Sequence, residues 1–166
     1  MTTLRRQRRG PLAALVAALI LAASAVMPGR IGQAATTEHV VVDRYSGLAL
    51  YGYDPVAYFT DRAAKTGIEG IEWTYRGVAW RFCNEGNRAA FARDPGVYMP
   101  RFGGHDPVGI ASHVIRDGHP EFWAIHGKRL YLFYSEEART AFAADPDGIL
   151  GQAVANWPQL SRTLVP

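Results

Sequence analysis

Apolar and polar residues alternate through Ile71-Glu72-Trp73-Thr74-Tyr75, the period of a strand with one buried face. Arg76-Gly77 follows as a turn, and Ala79 to Cys83 reads as the return strand, with Trp80 and Phe82 on one face. The period then lengthens. Asn84 is a good N-cap, Glu85 suits the positive end of a helix dipole, and Ala89, Ala90 and Phe91 carry a short helix. Pro95 drives residue 94 out of the helical region and ends it. Tyr75 to Pro95, YRGVAWRFCNEGNRAAFARDP, is therefore expected to be a hairpin running into a helix.

Much of that pattern returns as IHGKRLYLFYSEEARTAFAADP, Ile125 to Pro146. Phe82, Glu85, Arg88, Phe91, Asp94 and Pro95 recur 51 residues later as Phe133, Glu136, Arg139, Phe142, Asp145 and Pro146. Gly77 recurs as Gly127 at an offset of 50, and Asp54-Pro55-Val56 as Asp106-Pro107-Val108 at an offset of 52. Turn, cap, aromatic and stop signals recurring in order indicate a tandem duplication. Each unit is too small to bury its own hairpin, so the two are expected to share one core. The fold class that follows is α+β: two tandem ββα repeats plus a C-terminal helix.

The remaining segments frame these units. Residues 35–46 read as an N-terminal arm ending in a short strand at His39-Val40-Val41-Val42. Gly47 to Phe59, GLALYGYDPVAYF, is apolar and aromatic but broken by Gly52 and Asp54-Pro55, which predicts a knuckle. Thr60 to Gly70 is a polar loop, and Ile149 to Trp157 a closing helix stopped by Pro158. The organisation is then a first repeat over 47–102, a second over 103–148, and a helix and tail over 149–166. Arg5, Arg6, Arg8 and Arg9 precede an uncharged apolar run, Pro11 to Val26, with Gly32-Gln33-Ala34 as the cleavage site. That is the layout of a signal peptide over 1–34, its apolar run shorter than the roughly 20 residues that span a bilayer. A periplasmic or secreted protein is expected, with no membrane association after cleavage.

Removing the leader changes the charge. The chain has 18 basic and 15 acidic residues, a formal +3. Five of the arginines precede the cut and every acid follows it, leaving 13 against 15, a formal −2. The argument for nucleic acid disappears with the leader. Cys83 is the one cysteine, so no internal disulfide supports the fold. Burial of Trp73, Trp80, Trp123 and Trp157 with the many Tyr and Phe must do so instead.

GYDPVAYF (52–59), YRGVAWRFCNEGNRAAFARDP (75–95), GKRLYLFYS (127–135) and ANWP (155–158) together resemble the exported YHS-domain proteins of bacteria. The resemblance spans roughly Gly47 to Leu160. It implies a treble-clef-like ββα unit linked to heavy-metal handling, copper especially, with thiolates presented from a strand end and a helix start. The metal-binding form carries cysteines at three places per unit. Here these are Ala57, Cys83 and Asn87 in the first unit and Gly109, Tyr134 and Ala138 in the second, so one of six survives. The cysteine that exported relatives often carry after the central Gly-Gly pair is also absent, since His105-Asp106 follows Gly103-Gly104.

Candidate chemistry therefore centres on Cys83, whose thiol a nearby helix N-terminus would acidify. Four histidines, His105, His113, His119 and His126, fall within 22 residues, and imidazole suits copper or zinc. The candidate metal ligands are Cys83, His105, Asp106 and His113. Asp54 and Asp106 also fit Asx-turns that satisfy local backbone donors. A thiol enzyme would need a positioned base and an oxyanion site besides Cys83, and neither is identifiable. The expectation is a non-enzymatic accessory or binding module, metal-free or of modest metal affinity. Its alternative is a copper- or zinc-binding protein, and its partner is a metal ion or another protein.

Overall fold

The computed structural model describes residues 40–164. They fall in one unit of the chain, Gly32–Pro166. The expected leader, its cleavage site and His39 lie outside the described residues. Four strands and six helices follow in order: α1 (Ala57–Thr60), β1 (Glu72–Tyr75), β2 (Val78–Arg81), α2 (Glu85–Arg93), α3 (Pro95–Tyr98), α4 (Pro107–Ala111), β3 (His119–His126), β4 (Arg129–Phe133), α5 (Glu136–Ala144) and α6 (Pro146–Leu160). The fold is α+β with a C-terminal helix. No helix among the described residues is long and apolar enough to cross a membrane.

Strands β1 and β2 form one antiparallel hairpin, with Trp73 opposite Trp80, and β3 and β4 form another. Arg76 and Gly77 both have positive φ, 53° and 79°, as do Gly127 and Lys128 at 54° and 62°. Two positive-φ central residues are the primed hairpin turn, whose twist matches that of the strands it joins. The turns thus correspond at an offset of 51, not 50. The glycine has moved from the second central position to the first, and Arg76 and Lys128 take the strained places.

The caps follow the sequence closely. Asn84 accepts from Asn87 N, Ser135 from Ala138 N, and Asp145 from Gly148 N. Each satisfies a helix-start donor that would otherwise lack a partner. Asp94 and Asp145 both leave the helical region, and in each case the following proline begins a new helix. The closing helix differs from expectation. It starts at Pro146 and runs through Pro158 to Leu160. The loss of one backbone donor near its end is offset by Trp157 and Leu160 packing on the core.

Over its described residues, 40–42, the expected strand at 39–42 does not form. Val42 makes a single bridge to Ala49, while Val41 N donates to Gly103 O at 2.8 Å and Val40 and Val41 are buried. These residues are short of a neighbouring strand but well supplied with apolar contacts. Strand β1 is also more open than its alternation predicts. Trp73 is 44% exposed although Trp80, its cross-strand partner on the same face, is fully buried.

Buried side chains gather in two clusters. One holds Leu50, Val56, Tyr58, Val78, Trp80, Phe82 and Phe91 together with Leu130 and Leu132. The other holds Phe102, Ile110, Phe142 and Ala153 with Tyr131 and Phe133. Strand β4 lies between them, its alternate residues facing opposite clusters. Where one shared core is expected, there are two, joined through a strand buried on both faces. Burial of each large side chain stabilises the fold by about 1.5–3 kcal/mol.

Candidate functional site

The segment before α1 makes a tight knuckle. Leu50 and Tyr51 have φ of 51° and 56°, which brings Asp54 inward, where it is fully buried. Its Oδ1 accepts from Val56 N at 2.8 Å and Ala57 N at 3.3 Å, the Asx-turn geometry expected. Its Oδ2 reaches further along the chain, accepting from Cys83 N at 2.9 Å and Asn87 Nδ2 at 2.7 Å. One carboxylate thereby ties the knuckle to the end of β2 and the first turn of α2.

Cys83 sits beside this carboxylate, partly buried. Its Sγ lies 3.4 Å from the side-chain amides of Asn84 and Asn87. Burial, and then the hydrogen bond and negative charge of Asp54, push the thiol up to about 11 from an ordinary 9.0. The acidified thiol expected at a helix N-terminus is not found, because the anion and the burial outweigh the dipole. The helix-start donor Asn87 N is already satisfied by Asn84 Oδ1 at 2.8 Å.

Similar geometry surrounds Asp106. Phe102 and Gly103 have φ of 53° and 66°, and Asp106 is buried with Oδ1 accepting from Val108 N at 3.0 Å. The amides of Gly109 and Tyr134 also face its carboxylate. Burial holds this carboxyl above its ordinary range, opposed by those amides and by Arg116. Asp54 N donates to Lys65 O, and Asp106 N to Arg116 O. Gly67 N donates to Gly52 O, and Gly118 N to Gly104 O. The offset falls from 52 to 51 between the knuckles and these partners, which places the one-residue difference in the following loops.

The histidines have separate surroundings. His105 is buried, with Nδ1 3.2 Å from Asp117 Oδ1 and its ring 5.7 Å from that of Trp157. This contact holds the Asp117 carboxyl below its ordinary range. His113 is exposed in a left-handed residue after α4, with Nδ1 3.4 Å from Asn156 Nδ2. His119 accepts from Glu121 N, and His126 meets Asp147 at 3.0 Å. Cys83, His105, Asp106 and His113 are therefore placed on four sets of partners. Among the described residues no three His, Cys, Asp or Glu side chains gather closely enough to hold a metal ion.

Asn87 is the site residue that sequence reasoning missed, since it stood only as a vanished thiolate. It donates to both Asp54 and Cys83 across 33 and 4 residues. An asparagine three residues after an asparagine N-cap was the available signal, but its partner is long-range. Comparison of the chain with protein-family models, curated proteins and solved structures finds no match.

Proposed function

We propose that the chain is an exported, non-enzymatic binding module of YHS-like type, built from two degenerate ββα repeats and having at most modest metal affinity. The observation that carries this reading is the use made of Asp54. Its carboxylate is occupied by three backbone amides and the Asn87 amide, in the place where the resembled family gathers thiolates. A hydrogen-bonded carboxylate can hold strand end, helix start and knuckle together without a metal, and Asp106 has a comparable set of donors. The repeated knuckles, primed turns and capped helices support a duplicated origin. The protonated thiol argues against Cys83 as nucleophile or ligand, since the thiolate is the reactive form. A periplasmic or secreted location belongs to the same proposal and rests on the sequence of residues 1–34.

Calorimetric titration of the leader-free protein with Cu(II) and Zn(II) tests this. Weak, unsaturated heats are expected. Tight stoichiometric binding that vanishes in Cys83→Ser or His105→Ala would overturn it in favour of a copper- or zinc-binding protein. Sequencing of the exported form is expected to begin at Ala35.

A further inference from the structure

A cleft of about 460 Å³ opens beside the β1–β2 turn, the 101–104 turn and the start of β4. That volume lies within the roughly 300–1,000 Å³ of small-ligand sites. Arg76, Arg101 and Arg129 line it, together with Tyr75, Phe102 and Trp157, and no carboxylate does. Arg81, Arg88 and Arg139 each sit on a glutamate, but these three arginines make no ion pair among the described residues. Three cations brought to one concavity without a counter-charge repel one another, a cost that an anion would relieve.

Arg129 sharpens the assignment. Its Nη1 donates to Gly96 O at 2.7 Å, which holds the guanidinium in place. Its Nε is buried and has no acceptor among the described residues. With Nη1 engaged, Nε and Nη2 form the side-on edge of the guanidinium, the planar fork that matches two oxygens of a carboxylate or phosphate. A buried donor without an acceptor is costly, and an anion oxygen in the adjoining cleft can relieve that cost once the side chain turns this edge toward it. The aromatic walls and the volume exceed what an inorganic anion needs.

We propose that this cleft binds a small organic anion, its carboxylate or phosphate head held by Arg101 and Arg129 and its apolar or aromatic body against Phe102 and Trp157. Arg76, on the hairpin turn, adds charge at the rim. The proposal deepens the binding-module reading by naming a ligand class, and rests on it only in taking the chain to bind and not to convert. It uses none of the residues around Cys83.

The test is titration of the metal-free, leader-free protein with phenyl phosphate and with benzoate, followed by calorimetry and by the arginine Nε–H resonances. Inorganic phosphate and benzyl alcohol serve as controls for head and body alone. The expected result is saturable one-to-one binding of at least one organic anion, weakened by salt, with the Arg129 Nε–H resonance shifting on binding. Whichever probe is tighter assigns the head group. Neither control should match it. Arg101→Gln, in an irregular turn, and Arg129→Met should each weaken binding about tenfold or more while the melting transition persists, as the loss of one charge-assisted bond implies. Absence of saturation by both anions, or unchanged affinity in Arg101→Gln, would overturn the assignment. So would shifts confined to residues outside the cleft. The metal titration is independent: tight copper or zinc binding defeats the module reading and leaves this result standing.

Discussion

At the scale of single residues, Cys83 and Asp54 define each other's chemistry. Asp54 needs donors and receives the Cys83 amide. The same carboxylate then raises the thiol to about 11. Alkylation of Cys83 should therefore follow a pH profile with its midpoint near 11. A midpoint near or below the ordinary 9.0 would mean that the helix dipole prevails. The shift also has a consequence for stability. The folded state holds this proton more tightly than the unfolded chain, so the thiol's contribution is present below pH 9 and is lost as pH rises from about 9 to 11. Urea titrations across that range should show a decline that Cys83→Ala lacks. Asp54→Ala strands four donors around a buried cavity and should cost about 3 kcal/mol or more in urea unfolding. The Asx-turn half of Asp54 was legible, because Asp-Pro-Val is a local signal. The half that reaches Cys83 and Asn87 was not, since it spans 29 and 33 residues.

At the scale of elements, the hairpins and the ends of α2 and α5 followed from local chemistry: turn residues, caps and prolines all act within a few positions. Close approach between elements obeys a different rule. Gly67 has an ordinary φ, so backbone conformation does not explain it. A Cβ there would lie 2.5 Å from Arg81 Cγ and 2.6 Å from Arg81 C and Phe82 N. Gly67→Ala should thus cost about 1–3 kcal/mol, since backbone of β2 and its extension must move. Gly151, exposed in α6 with nothing within 4 Å of a built Cβ, supplies the contrast. Gly151→Ala should raise stability by about 0.5–1 kcal/mol through helix propensity. Equal effects at the two positions would refute the packing argument. Nothing in the polar loop Thr60 to Gly70 marks Gly67 as a contact, because the strand it meets comes 14 residues later.

At the scale of the whole molecule, β4 couples the two clusters. Leu132 belongs to one and Phe133 to the other, with adjacent side chains on opposite faces. Leu132→Ala and Phe133→Ala should each destabilise by about 2–5 kcal/mol. Both should lower the same single unfolding transition, read by tryptophan fluorescence and circular dichroism together. Two separable transitions would mean that the halves fold independently. The charge distribution is also a property of this scale. Residues from 35 onward carry a formal −2, yet three arginines from distant segments meet in one cleft.

The sequence by itself determined the two hairpins, the Asn84 cap and the Asp94-Pro95 and Asp145-Pro146 stops, because each depends on neighbours within about four residues, but not the arm before Asp43 or the end of the last helix. It also determined that Cys83, the one cysteine, leaves the fold without an internal disulfide. Tertiary structure alone decided that the buried side chains form two clusters, and that His105 meets Asp117 and Trp157 while Cys83 meets Asp54 and Asn87. It also decided that Arg76, Arg101 and Arg129 share a cavity. The physical reason is common to all of these. A thiol's acidity, a histidine's partner and an arginine's missing counter-charge are set by groups brought close through the packing of distant elements. Linear spacing does not encode that proximity.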